Sequence, residues 1–100
     1  MERCFEWDEN KNKINKEKHG ISFEEAALVF ADSFVLEKYD AEHSTLDEER
    51  FIRIGTVYNV LIVTVMFTDR NGVTRIISAR AATPFEREEY YENIRNTFGT

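Results

Sequence analysis

The sequence predicts an α+β fold: one antiparallel meander sheet, with two N-terminal helices and one C-terminal helix packed on it. Three observations predict it. Ser22-x-x-Glu25 and Thr83-x-x-Glu86 are capping boxes that open two helices. Apolar and alternating runs over 51–57, 60–67 and 73–79 read as strands. Asn71-Gly72, between the last two runs, is a strong hairpin signal.

Phe5–Trp7 reads as a short first strand. Asp8 caps a helix over 9–19, and Gly20 stops it. Ile14 is its only strong apolar residue, while Lys11, Asn15 and Lys18 share one face. A helix that polar lies on the surface or meets a partner. The Ser22 box opens a second helix, Phe23–Phe30, whose Phe23, Ala26, Ala27 and Phe30 recur at helical spacing and read as core. Asp32-Ser33 ends it. Phe34–Leu36 then begins a strand that runs into an acidic loop, 40–49.

In 51–57, Phe51, Arg53 and Gly55 fall on one face and Ile52 and Ile54 on the other. Tyr58-Asn59 makes a tight turn. Val60–Phe67 is almost wholly apolar and β-branched, as a central strand is. Alternation in the next strand groups Ile76, Ser78 and Arg80 against Arg75, Ile77 and Ala79. Thr83 caps the last helix, about 84–98, with Pro84 at its first position. Arg87, Tyr91, Ile94 and Phe98 form its expected packing stripe.

One hundred residues, 42% hydrophobic and 13% aromatic, suffice for one cored domain over 1–100. A lone Cys4 and two histidines, His19 and His43, argue against a disulfide or a structural zinc, so no metal or cofactor is expected. No apolar run reaches the roughly 20 residues of a membrane span, and the N-terminus lacks a signal-peptide layout. A soluble cytoplasmic protein is the expectation. The net charge of −6 disfavours nucleic acid globally, but the charge is polarised. Residues 37–50 hold six acids against two cations, and residues 51–80 hold four arginines against one aspartate. A local patch binds an anion whatever the total.

The segment Phe5-Glu-Trp-Asp8, Lys11, Asn15, Lys18-His-Gly-Ile-Ser-Phe-Glu-Glu-Ala26, Val29-Phe30 and Asp32 continues with Asp40, His43, Glu49-Arg50, Gly55, Thr68-Asp-Arg70, Arg75-Ile-Ile-Ser-Ala-Arg80-Ala, Glu86-Arg87 and Tyr90-Tyr91. Together these blocks resemble the BrnT family of toxins over about 5–91. The resemblance implies a RelE-like fold and an endoribonuclease that cleaves RNA and arrests translation. It also implies a type II toxin–antitoxin pair with a BrnA-like antitoxin, which dimerises through a ribbon-helix-helix part. A heterotetramer would form, and promoter DNA would be bound only through that complex, with no membrane involved. Two departures stand out: Phe67 occupies a position where many relatives carry histidine, and the pI of about 4.9 is lower than that of many relatives.

Metal-independent RNA cleavage needs a base for the 2′-OH, cations for the crowded phosphorane and an acid for the leaving 5′-oxygen. Arg50, Arg70 and Arg80, at or near strand ends, are the first candidates for phosphate contact, against the alternative of plain salt bridges. Mid-strand Arg53 and Arg75 read as structural. Glu86 is either a general base or the helix cap, and Arg87 either reaches phosphate or pairs with the acidic loop. His43 and His19 are the candidates for proton transfer; an inert loop residue and a helix-end stabiliser are the plainer readings. Lys18 is a candidate phosphate ligand or acid, and Lys11 a candidate substrate-binding residue. Tyr90 reads as open and able to stack on bases, while Tyr91 and Trp7 read as core. Cys4 reads as a small hydrophobe or a frayed end.

Two readings follow. An enzyme would gather Lys18–His19, Arg50, Arg70 and Arg80 on one concave surface. A non-catalytic interaction module would dock a basic partner segment on the acidic loop, and its arginines would pair with the chain's own carboxylates. Direct DNA binding is the weakest reading, because the last helix holds four acids against two arginines.

Overall fold

The computed structural model describes residues 3–99. Its strands are β1 (Cys4–Glu6), β2 (Leu36–Tyr39), β3 (Arg50–Val57), β4 (Leu61–Arg70) and β5 (Val73–Ala81). Helices α1 (Glu9–His19) and α2 (Phe23–Ala26) precede the meander, and α3 (Pro84–Phe98) follows it. The strands stand in the order β1-β5-β4-β3-β2, so β4 is central. β2 to β5 pair antiparallel, and β1 adds itself parallel to the outer edge of β5.

Local chemistry sets the element ends. Asp8 accepts from the Lys11 N–H, and Gly20 closes α1 in the left-handed region. Both capping boxes form, at Ser22/Glu25 and Thr83/Glu86. The second helix is shorter than its spacing suggests: after Ala26 it tightens into a 3₁₀ turn, Ala27–Ala31. Tyr58 and Asn59, and then Asn71 and Gly72, take positive φ at the two hairpin tips, as tight turns between twisted strands require.

The helices cover opposite faces. Val63, Val65, Ile76 and Ala79 pack against Phe23, Ala26 and Val29 on one side. Ile54 and Ile62 meet Tyr90 and Ile94 on the other. Arg53 is a mid-strand residue with a structural role: its guanidinium lies over the Phe30 ring at 4.6 Å and pairs with Glu37 at 2.6 Å.

Strict alternation fails in β5. Met66 stands opposite Ser78 and Phe67 opposite Ile76, so Ile77 is an extra residue. This bulge turns Ile76 into the same core as Ala79, away from Ser78 and Arg80. It also brings Arg75, opposite Thr68, onto the face of Ser78 and Arg80. α3 departs from its expected stripe too. Tyr90 is 3% exposed and Tyr91 46% exposed, because Glu86, Tyr90 and Asn93 face the sheet.

Helix α1 docks through amides instead of an apolar stripe. Ile14 is 60% exposed, while Asn12 and Asn15 are buried. Asn12 accepts from the Phe23 N–H at 2.7 Å, and Asn15 binds the backbone of Ile21 and Ala79. These bonds place α1 beside β5.

Candidate active site

The candidate arginines do not gather. Arg50 lies opposite Thr68 and Arg80 opposite Thr64, with β4 between their strands. Four residues along and two strand spacings across put their Cα atoms roughly 16 Å apart. Each is also matched with an acid. Arg50 and Arg70 share Glu48, because the acidic loop folds back over the ends of β3 and β4. The bond from Arg70, outweighing burial, holds the Glu48 carboxyl below the usual carboxylate range. Arg75 meets Glu6 at 3.6 Å. The expected concave cluster of Arg50, Arg70 and Arg80 is therefore corrected to two separate places, and the pairing of each arginine with a carboxylate is what the interaction-module reading expected.

Arg80 sits where β5 meets α3. Its Nη1 and Nη2 donate to the two Glu86 oxygens at 2.6 and 3.0 Å. Glu86 accepts further from the Thr83 N–H at 2.8 Å and the Thr64 hydroxyl at 3.0 Å. Burial pushes the Glu86 carboxyl up, but Arg80, Thr83 and Thr64 outweigh it and hold it at about 2. So acidic a carboxyl is a poor general base at neutral pH. The geometry supports the cap reading of Glu86, with a grip on Arg80 added to it. Arg87 is exposed and donates to the Ala82 carbonyl; no carboxylate pairs with it among the described residues.

Tyr90 is not a surface stacking residue. Its hydroxyl donates to Asp32, which also accepts from the Thr56 N–H and hydroxyl and the Phe34 N–H. Burial and this bond push the Tyr90 hydroxyl up to about 12. Cys4 is exposed in β1. Trp7 is half-buried, edge-on to Phe23.

The two histidines lie in different settings. His43 is in the 40–49 loop, its Nδ1 2.9 Å from Asp40. The neighbouring hollow is lined by Asp47, Glu48, Glu49, Asp69 and Arg70 among others, an acidic wall that repels phosphate. His19 ends α1. There Lys11, Ile14, Asn15, Lys18 and His19 face Ile77 and Ser78 across a groove of about 190 Å³. No carboxylate lines this groove, and Lys11 and Lys18 have no ion-pair partner among the described residues. Ser78 and Arg80 share one face of β5, so Arg80 stands two residues along the strand from the groove wall. Ser78 and the Asn15 anchor were not singled out as site residues from sequence. No group of three or more His, Cys, Asp or Glu positioned to hold a metal occurs among the described residues. Nor is any helix among them long and apolar enough to cross a membrane.

This architecture is similar to a ribonuclease toxin. A family model described as the ribonuclease toxin BrnT of a type II toxin–antitoxin system matches residues 7–86. The chain belongs to this family, whose members are toxins that act on RNA and bind a cognate antitoxin. The solved structure of the Brucella abortus ribonuclease toxin BrnT superposes with a TM-score of 0.61 at 26% identity. That alignment covers 82% of this chain and 99% of the Brucella chain. Among curated proteins none matches the chain.

Proposed function

We propose that the chain is a metal-independent endoribonuclease whose RNA lies in the groove between α1 and β5. The observation that carries this reading is the groove's charge. The strand arginines and Lys38 are matched with carboxylates, while Lys11, Lys18 and His19 line one hollow that no acid enters. A phosphodiester there meets two ammonium groups, whose charge favours the phosphorane more than the ground state.

The His19 imidazole, which lines the groove with the two lysines, takes one proton transfer of the reaction. The 2′-oxygen attacks phosphorus, the bond to the 5′-oxygen breaks, and the products are a 2′,3′-cyclic phosphate and a 5′-hydroxyl. The Ser78 hydroxyl stands beside the groove as a hydrogen-bond donor to a phosphate oxygen. Translation arrest follows from the loss of messenger RNA in the cytoplasm. A BrnA-like antitoxin, as a dimer carrying two toxin chains, would neutralise the activity and link it to promoter DNA.

The test is incubation of the purified protein with messenger RNA, with and without ribosomes, in excess chelator. Cleavage that persists in chelator and leaves 2′,3′-cyclic phosphate ends supports the proposal. Intact RNA under every condition, or 5′-phosphate products, overturns it.

A further inference from the structure

We propose that Glu86 is a positioning residue, gripping the end of the Arg80 guanidinium so that its Nε–Nη2 edge is presented to an RNA phosphate. The inference rests on the preceding reading that RNA lies against β5, and it adds a phosphate contact next to the groove.

A guanidinium carries five N–H groups in one plane. Glu86 takes one hydrogen from Nη1 and one from Nη2, and the Ala81 carbonyl lies 3.4 Å from Nη1. The second Nη2 hydrogen and the Nε–H remain. They point the same way, side by side, and have no partner among the described residues. Such a pair is a second fork, matched to two oxygens of one phosphodiester. A lysine in the same place would keep the charge and lose the fork.

The anchor is more elaborate than a helix cap requires. A capping box needs only the Thr83 and Glu86 exchange. Here Glu86 also accepts from Thr64, the residue directly across from Arg80 on β4. The carboxylate is tied to the helix start and to the sheet at once, with its side chain 13% exposed against 34% for Arg80. Arg80 thus reaches solvent from a fixed base, and its rotamer is set before RNA arrives. Ser78, on the same face of β5, continues this surface into the groove.

The experiment is the single-turnover cleavage of a reporter messenger RNA in a cell-free translation reaction, at rising concentrations of purified protein. Glu86→Gln keeps a capping side chain and loses the charged grip; its plateau rate falls ~10-fold or more, with little change in the half-saturating concentration. Arg80→Lys is as slow as Arg80→Ala, roughly 100-fold below wild type. Thr83→Ala removes the cap hydroxyl and leaves the fork, so it melts earlier and keeps the wild-type plateau. An Arg80→Lys variant at the wild-type plateau, or a Glu86→Gln variant matching Thr83→Ala, overturns the proposal. Lys18→Ala and His19→Ala in the same assay separate the two claims. If they are slow and the Arg80 and Glu86 variants are not, the fork falls and the groove stands. If the reverse holds, the groove falls and the fork stands. A wild type that leaves the messenger intact overturns both.

Discussion

Asn15 completes the edge of β5: its side-chain amide donates to the Ala79 carbonyl at 2.8 Å and accepts from the Ala79 N–H at 3.2 Å. β1 pairs with β5 only at Val73, Thr74 and Arg75, so beyond that point one side chain does the work of a strand. The same amide holds the Ile21 carbonyl, which fixes the chain after α1. Asn15→Ala leaves buried backbone groups of Ala79 and Ile21 unmatched and is expected to cost about 2–3 kcal/mol. Urea denaturation measures it; a loss under about 0.5 kcal/mol would mean that water replaces the amide.

Gly55 is required by close approach. A Cβ there would sit 3.0 Å from Val29 Cγ1 and 3.1 Å from Asp32 Oδ2. Val29 is fully buried, and Asp32 is pinned by Phe34, Thr56 and Tyr90, so neither can move aside. Gly55→Ala is expected to destabilise by about 1–3 kcal/mol, read as a lower melting temperature.

Glu86 makes stability depend on acid. Its carboxyl is held at about 2 in the folded chain against an ordinary 4.5. A depressed carboxyl contributes stability that is fully present above its unfolded value and lost as pH falls through the folded one. The stability difference between wild type and Glu86→Gln is therefore largest above pH ~5, on the order of 3 kcal/mol, and shrinks toward pH 2. Chemical denaturation along that pH series checks it. A difference that stays constant would show that the charge is not held this way.

Tyr90 ionises late. Burial and Asp32 push its hydroxyl up to about 12, so on raising pH its absorbance change comes well above the ordinary phenol value of 10.0. The Tyr90→Phe variant lacks that high-pH step. It also loses about 1 kcal/mol, since Thr56 and Phe34 still satisfy Asp32.

The capping boxes, the two turns and the central strand were legible in the sequence, because each depends on residues within four positions of one another. The bulge at Ile77 was not, since alternation is a local rule and the extra residue is defined only by pairing with β4. Tyr90 and Tyr91 exchange roles for a related reason: which of two adjacent tyrosines is buried depends on the angle at which α3 meets the sheet. Family likeness pointed to a ribonuclease. It did not show that Glu48 joins Arg50 and Arg70, a match made when the acidic loop folds back. In the groove, Lys11 and Lys18 were visible as cations, and His19 as a proton-transfer candidate, on a polar helix. Their opposite wall, Ser78, came into view only once Asn15 had set α1 beside β5.

Cleavage of messenger RNA by Lys18→Ala, His19→Ala and His43→Ala proteins, each verified as folded, tests the groove between α1 and β5 most directly. Rates roughly 100-fold below wild type for the first two, with His43→Ala unchanged, are predicted. A His43→Ala protein that no longer cuts RNA, beside a His19→Ala protein that cuts at the wild-type rate, would contradict the assignment and move the chemistry to the acidic loop.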